Sequence, residues 1–142
     1  MQRFVHKVAP IVLRRSEELE ILAFRHPNAG KQLVKGTWEN GESAENASLR
    51  ELAEESGIEN ASVVKALGQL PFRNIRQHWH FYLCHVPIHL PDRWTYFTHD
   101  GGGHLFDFFW HNLADQAGHE WHADFRRALT YVRRWIQVEE PL

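Results

Sequence analysis

Glu51, Glu54 and Glu55 lie close together in a segment, Ala44 to Ser56, that reads as a helix closed by Gly57. At about 100° per residue the three carboxylates share a sector of roughly 100°. Leu49, Leu52, Ala53 and Ser56 fall largely on the other side, so an acidic face is set against one that can be buried. Like charges at i,i+4 destabilise a helix by about a few tenths of a kcal/mol, so something should compensate. Hard oxygen ligands at this spacing suit Mg²⁺ or Mn²⁺, with water and phosphate oxygens filling the remaining positions. Arg50 stands beside the cluster and can pair with Glu42, fixing the preceding loop against the helix. Gly36 has no side chain, so its carbonyl can approach a cation closely. An acidic helix face taken alone is most often just solvated. The spacing of the whole stretch has to decide.

From Gly36 to Ile58 the chain follows Gly-x5-Glu-x7-Arg-Glu-aliphatic-x-Glu-Glu-x-Gly-aliphatic at every defined position. At average residue usage, a chance match is on the order of one in a million per chain. The run resembles the signature box of the Nudix hydrolases. One departure is Asn40, where family members often carry Pro, and Asn tolerates turn conformations well. The resemblance implies a single domain over residues 1–142 with the family's α/β/α sandwich. It also implies a hydrolase that cuts a phosphate–phosphate bond in a nucleoside diphosphate linked to another moiety.

Carried over by position, Glu51 and Glu55 correspond to metal ligands, Glu54 to a ligand or general base, and Gly36 to a carbonyl ligand. Arg50 and Glu42 correspond to the pair that orders the loop, with Arg50 counted beside Glu54 among the catalytic residues. The cofactor implied is Mg²⁺, with Mn²⁺ as a substitute. Glu120, Asp100 and His104 are alternative bases from later segments. The competing reading is a non-catalytic sensor or interaction domain of the same fold that binds a nucleotide. It has less use for an intact acidic triplet. Many members of the family pair, so a homodimer is compatible with the resemblance.

A diphosphate needs cationic partners, and Arg25, Lys35, Arg73 and Arg76 are the candidates. Trp38, Phe72 and Trp79 are aromatic residues that could stack on a base, although core packing is the commoner use of such rings. The sequence holds 11 histidines. His78 and His80 would project the same way from a strand, and His119 and His122 are spaced by a helical turn. No third ligand has convincing spacing, so they read as surface or packing residues rather than a zinc set.

The elements that must position these groups alternate in kind. Val5 to Arg14 and Glu20 to Arg25 read as strands joined by a polar hairpin connection. His26 to Gly30 reads as a turn, and Gln32 to Val34 as a short extended piece. After the acidic helix, strand patterns return at Ser62 to Gly68 and His78 to Val86. Pro87 and Pro91 bracket a loop. Trp94 to Thr98 and Leu105 to Trp110 read as strands around the glycine-rich turn His99 to His104. A final helix carries Trp121, Phe125, Ala128, Leu129, Val132, Trp135 and Ile136 on one stripe, with arginines off it. The pattern predicts an α+β domain with two main helices packed on a mixed sheet.

Composition narrows the partners. Sixteen Lys and Arg against 18 Asp and Glu give a formal charge of −2, which provides no field for a long nucleic acid. A small phosphorylated ligand suits that balance. No stretch reaches the length of a membrane span, and the first residues lack a signal-peptide core, so a cytoplasmic location is the expectation. Cys84, the single cysteine, falls in an apolar run and should be a buried, inert thiol.

Overall fold

A computed structural model describes residues 3–139; Met1, Gln2 and 140–142, at the two ends of the expected domain, lie outside the described residues. The strands are β1 (Val5–Arg15), β2 (Leu19–His26), β3 (Gly30–Gln32), β4 (Gly36–Thr37), β5 (Ser62–Phe72), β6 (Gln77–His85), β7 (Trp94–Thr98) and β8 (His104–Asn112). The helices are α1 (Ala44–Ser56) and α2 (Ala123–Glu139). The sheet runs β5-β6-β1-β2-β8-β7, with β3 paired to β2 and β4 to β1. Only β1 and β6 run parallel among these pairings, so the sheet is mixed, as the pattern predicts.

The two faces of the sheet follow from strand alternation. Ala9 and Ile11 of β1 join Ile21, Ala23, Trp79 and Phe81 in a core beneath α2 residues Phe125, Leu129 and Val132. Val12, Leu22, Phe24, Phe106 and Phe108 face the other way and pack with Leu52 of α1. One helix therefore covers each face, giving the three-layer sandwich.

Boundaries moved where local chemistry was ambiguous. Gly68 does not end its strand: β5 continues to Phe72 through a register shift between Ala66 and Gln69. Gly68 takes φ 83°, and a Cβ there would lie 2.5 Å from the Tyr131 hydroxyl, so glycine marks a bulge under α2. Leu33 and Val34 are buried but lie outside β3, which ends at Gln32. Trp121 precedes α2; it is buried and bridges to Lys31 in the segment that leads into the helix.

Helix α1 begins and ends as its sequence directs. The Ser43 hydroxyl accepts from the Asn46 N–H, and Gly57 at φ 81° donates its N–H to the Ala53 carbonyl. Its buried residues are Ala44, Ala47, Ser48, Glu51, Leu52, Glu55 and Ser56. This corrects the simple two-faced helix of the sequence reading. Glu51 and Glu55 lie within the buried stripe, and Glu54 is left outside it.

Candidate active site

The site forms where β4 crosses β1 and α1 passes beneath. Val8 pairs with Gly36 and Lys7 with Thr37, bringing the first residues of the Gly36–Ile58 stretch against the sheet. Glu51 projects toward Gly36 so closely that a Cβ on Gly36 would stand 1.8 Å from the Glu51 carboxyl carbon. Only glycine leaves room for that carboxylate.

Glu51 is 5% exposed, and its Oε2 is a buried polar atom with no hydrogen-bond partner. Its Oε1 accepts from Arg50 Nη1 at 2.9 Å. Glu55 is 8% exposed. Asp100, in the 3-10 turn Asp100–Gly102 between β7 and β8, completes the group. One ligand oxygen from each of Glu51, Glu55 and Asp100 lies within 4.8 Å of the others. Burial raises the pKa of Glu51, against the pull of Arg50. Burial first, and then repulsion from Glu51 and Asp100, push that of Glu55 well above the usual carboxylate range. Buried carboxylates facing one another call for a cation, and the orphaned Glu51 Oε2 is a candidate ligand for it. The donor set is all oxygen, which suits Mg²⁺ or Mn²⁺.

Arg50 organises the rim. Its Nε and Nη2 donate to the two oxygens of Glu42 at 3.0 and 2.7 Å, its Nη2 to the Thr37 carbonyl at 2.9 Å, and its Nη1 to Glu54 at 3.2 Å. Hydrogen bonding from Arg50 lowers the Glu42 pKa and keeps the carboxylate charged. Glu42 also accepts from the Glu39 N–H, so one guanidinium pins the loop to the helix.

Above the carboxylates opens a cleft of about 450 Å³ lined by Lys7, Lys35, Arg50, Glu54 and Asp100 among others. Lys35 Nζ lies 4.6 Å from the Trp79 ring centroid and 5.6 Å from that of Phe125. Burial first, and then repulsion from Lys7, lower its pKa to about 8. Lys7 Nζ donates to Thr37 Oγ1 at 2.8 Å.

Of the residues singled out in the sequence, Gly36, Arg50, Glu51, Glu54, Glu55, Lys35 and Asp100 line this one cleft. Glu54 is there but lies outside the tight trio and bonds to Arg50. Arg25 lines a different cleft with Lys31 and Arg93. Arg73 and Arg76 belong to the turn between β5 and β6, outside the acidic cleft's lining. Glu120 is held by Lys31 at 2.7 Å, and His104 packs on His26 with ring centroids 4.7 Å apart; neither lines the acidic cleft. Phe72 and Trp79 are buried and stack on one another at 3.9 Å, so both are core, whereas Trp38 stays partly accessible and donates to the Glu42 carbonyl. Lys7 was not anticipated. Its place depends on β1–β4 pairing, and strand patterning carries no signal for it.

A family model described as the NUDIX domain matches residues 5–132. No curated protein matches the chain by sequence. Among solved structures, a NUDIX hydrolase from Nitrosomonas europaea is similar with TM-score 0.68 at 14% identity, over 96% of this chain and 72% of that one. A MutT protein from Methanosarcina mazei Go1 gives 0.68 at 19% identity, over 98% and 97%. A C. elegans Ap4A hydrolase gives 0.62 at 18%, over 94% and 98%. At these identities the likeness is one of fold.

Proposed function

This chain belongs to the Nudix family, and on that premise we propose that it is a Mg²⁺-dependent hydrolase of phosphate–phosphate bonds in small nucleotide-like molecules. The observation that carries the reading is the trio Glu51, Glu55 and Asp100, its two glutamates buried, around an unpartnered Glu51 Oε2 that lies against Gly36, which has no side chain.

Glu51, Glu55 and the Gly36 carbonyl would hold the ion, and Asp100 would close on it from the β7–β8 turn. A divalent cation, when bound, supplies positive charge for phosphate oxygens and acidity for an attacking water. The chain's own residues do the rest. Lys35 and Lys7 orient the diphosphate from the cleft wall. Arg50, holding Glu42 and the Thr37 carbonyl, keeps the loop and helix at fixed separation, so that the reacting groups meet in one geometry. Glu54, 42% exposed at its side chain and open to the cleft, takes the proton from the water as it attacks phosphorus. Asp100 is the alternative acceptor. Manganese satisfies the same oxygen ligands.

Substrate choice rests with the cleft walls, not the carboxylates. The similar structures include an Ap4A hydrolase and an ADP-ribose pyrophosphatase. The deciding experiment is a panel of dinucleoside polyphosphates, ADP-ribose, nucleotide sugars and nucleoside triphosphates, tested with Mg²⁺ or Mn²⁺ with both products identified. We expect metal-dependent release of two phosphorylated products from at least one class, lost in Glu55→Gln while that variant stays folded. Nucleotide binding without turnover across the panel would favour a binding domain, and full activity in Glu55→Gln would reject the site.

A further inference from the structure

Histidines gather in a second place that the acidic cleft does not use. Parallel pairing of β1 with β6 sets His6 opposite His78, with His80 two residues further along the same face. Alternation alone brought His78 and His80 together in the sequence; the register adds His6 from more than 70 residues away. His6 Nδ1 and His80 Nε2 stand 2.9 Å apart. The His6 ring centroid lies 5.1 Å from that of His80 and 5.6 Å from that of His78. Trp38 meets both His6 and His80 edge-on, at 6.2 and 5.2 Å. His6, His80, Trp38 and Glu39 line an open cavity of about 430 Å³ beneath the Gly41 loop.

We propose that His6 and His80 form a binding site for a transition-metal ion of the zinc or nickel class, separate from the acidic cleft. Two imidazole nitrogens on one tetrahedral zinc stand about 3.3 Å apart, given Zn–N distances of about 2.0–2.1 Å. The pair therefore needs to open by only about 0.4 Å from its 2.9 Å contact. His78 is oriented by Gln69, with Nδ1 3.1 Å from the amide oxygen, so the site is a two-histidine clamp whose remaining positions water would fill. A plain hydrogen bond between two imidazoles is the competing account. It would leave nothing for an ion to gain. Imidazole selects zinc, nickel and copper where carboxylate selects magnesium, so one chain would sort two kinds of ion into two clefts. Trp38 Nε1 donates to the Glu42 carbonyl, so an ion here would brace the loop that Arg50 pins from the other side.

The test uses the full, tag-free chain, stripped of metal and held in excess Mg²⁺ to occupy the carboxylates. Zn²⁺ is titrated by calorimetry, and Ni²⁺ by quenching of Trp38 fluorescence with Trp38→Phe as the blank. We expect one equivalent, weakened at least about tenfold by either His6→Ala or His80→Ala and unaffected by His119→Ala. His6→Asn and His80→Gln guard against misfolding, and circular dichroism of each variant accompanies the titration. Folded His6 and His80 variants that bind with parental affinity would overturn the proposal. So would a zinc site that survives those changes and disappears in Glu55→Gln, because the ion would then sit in the acidic cleft.

Discussion

Replacing Gly36 with alanine is the smallest change that attacks the site without touching a charged group. The added methyl would lie 1.8, 2.0 and 2.3 Å from Cδ, Oε2 and Oε1 of Glu51. Ordinary contact begins at 3.4 Å, so the carboxyl carbon must retreat by 3.4 − 1.8, about 1.6 Å. Glu51 is buried, and the rim of α1 is fixed through Arg50. The retreat therefore breaks the 2.9 Å bond from Arg50 Nη1 and carries both oxygens away from Glu55 and Asp100. A misplacement of about 1 Å in a positioned group costs about a hundredfold in rate, so kcat/KM should fall at least that far. Losing one charge-assisted hydrogen bond should cost roughly 1.5–3 kcal/mol of stability. Gly41→Ala is the matched control, in the loop between β4 and α1. A Cβ there meets nothing within 4 Å, and only the φ of 88° opposes it, for roughly 1–2 kcal/mol of strain. Steady-state hydrolysis of the best panel substrate, Mg²⁺ titrations and thermal melts of both variants decide the matter. Gly36→Ala retaining activity within about threefold of the parent, or Gly41→Ala losing as much as Gly36→Ala, would refute the reasoning.

Three further outcomes follow from the same geometry. Glu55→Gln should raise the melting temperature of the metal-free protein, because it removes a buried charge facing Glu51 and Asp100, and should abolish the stabilisation that Mg²⁺ gives the parent; a melt that Mg²⁺ still raises would count against the ligand set. Lys35→Met should hold or raise the melting temperature at pH 7, since burial already depresses the ammonium pKa to about 8, while raising KM at least about tenfold; an unchanged KM would remove Lys35 from the substrate contacts. Cys84 is buried, and burial pushes its thiol up to about 12, so a thiol reagent at pH 8 should label it only on unfolding. Because the folded pKa is raised, its stabilising contribution is intact below the unfolded thiol's pKa of about 8.5 and is lost as pH rises toward 12, which pH-dependent melts can follow.

The parts legible in the sequence are those governed by neighbours along the chain. Helix α1 runs from Ala44 to Ser56 as read, because Ser43 and Gly57 are local start and stop signals that act within one turn. Strand β7 likewise matches its predicted span, Trp94 to Thr98. The error over Gly68 has a local cause too: a glycine in a strand marks either an end or a bulge, and only the Tyr131 hydroxyl from α2, 2.5 Å from where a Cβ would stand, selects the bulge. What the helical pattern could not give was the depth of each carboxylate. Periodicity grouped Glu51, Glu54 and Glu55 by angle, yet a rotation of one residue separates buried Glu55 from exposed Glu54. The sheet fixes that rotation by seating Leu52 in the core beside Val34 and Ile58. Asp100 was named in the sequence only as one of three alternative bases beyond the box, with Glu120 and His104. Its arrival beside Glu55 depends on the β7–β8 hairpin returning to the end of β2, a pairing set by Phe24 opposite Phe108 and Arg25 opposite Asp107. The third carboxylate is thus a consequence of strand register, and shifting that register by one residue would turn Phe106 and Phe108 to the opposite face and take Asp100 out of the cluster.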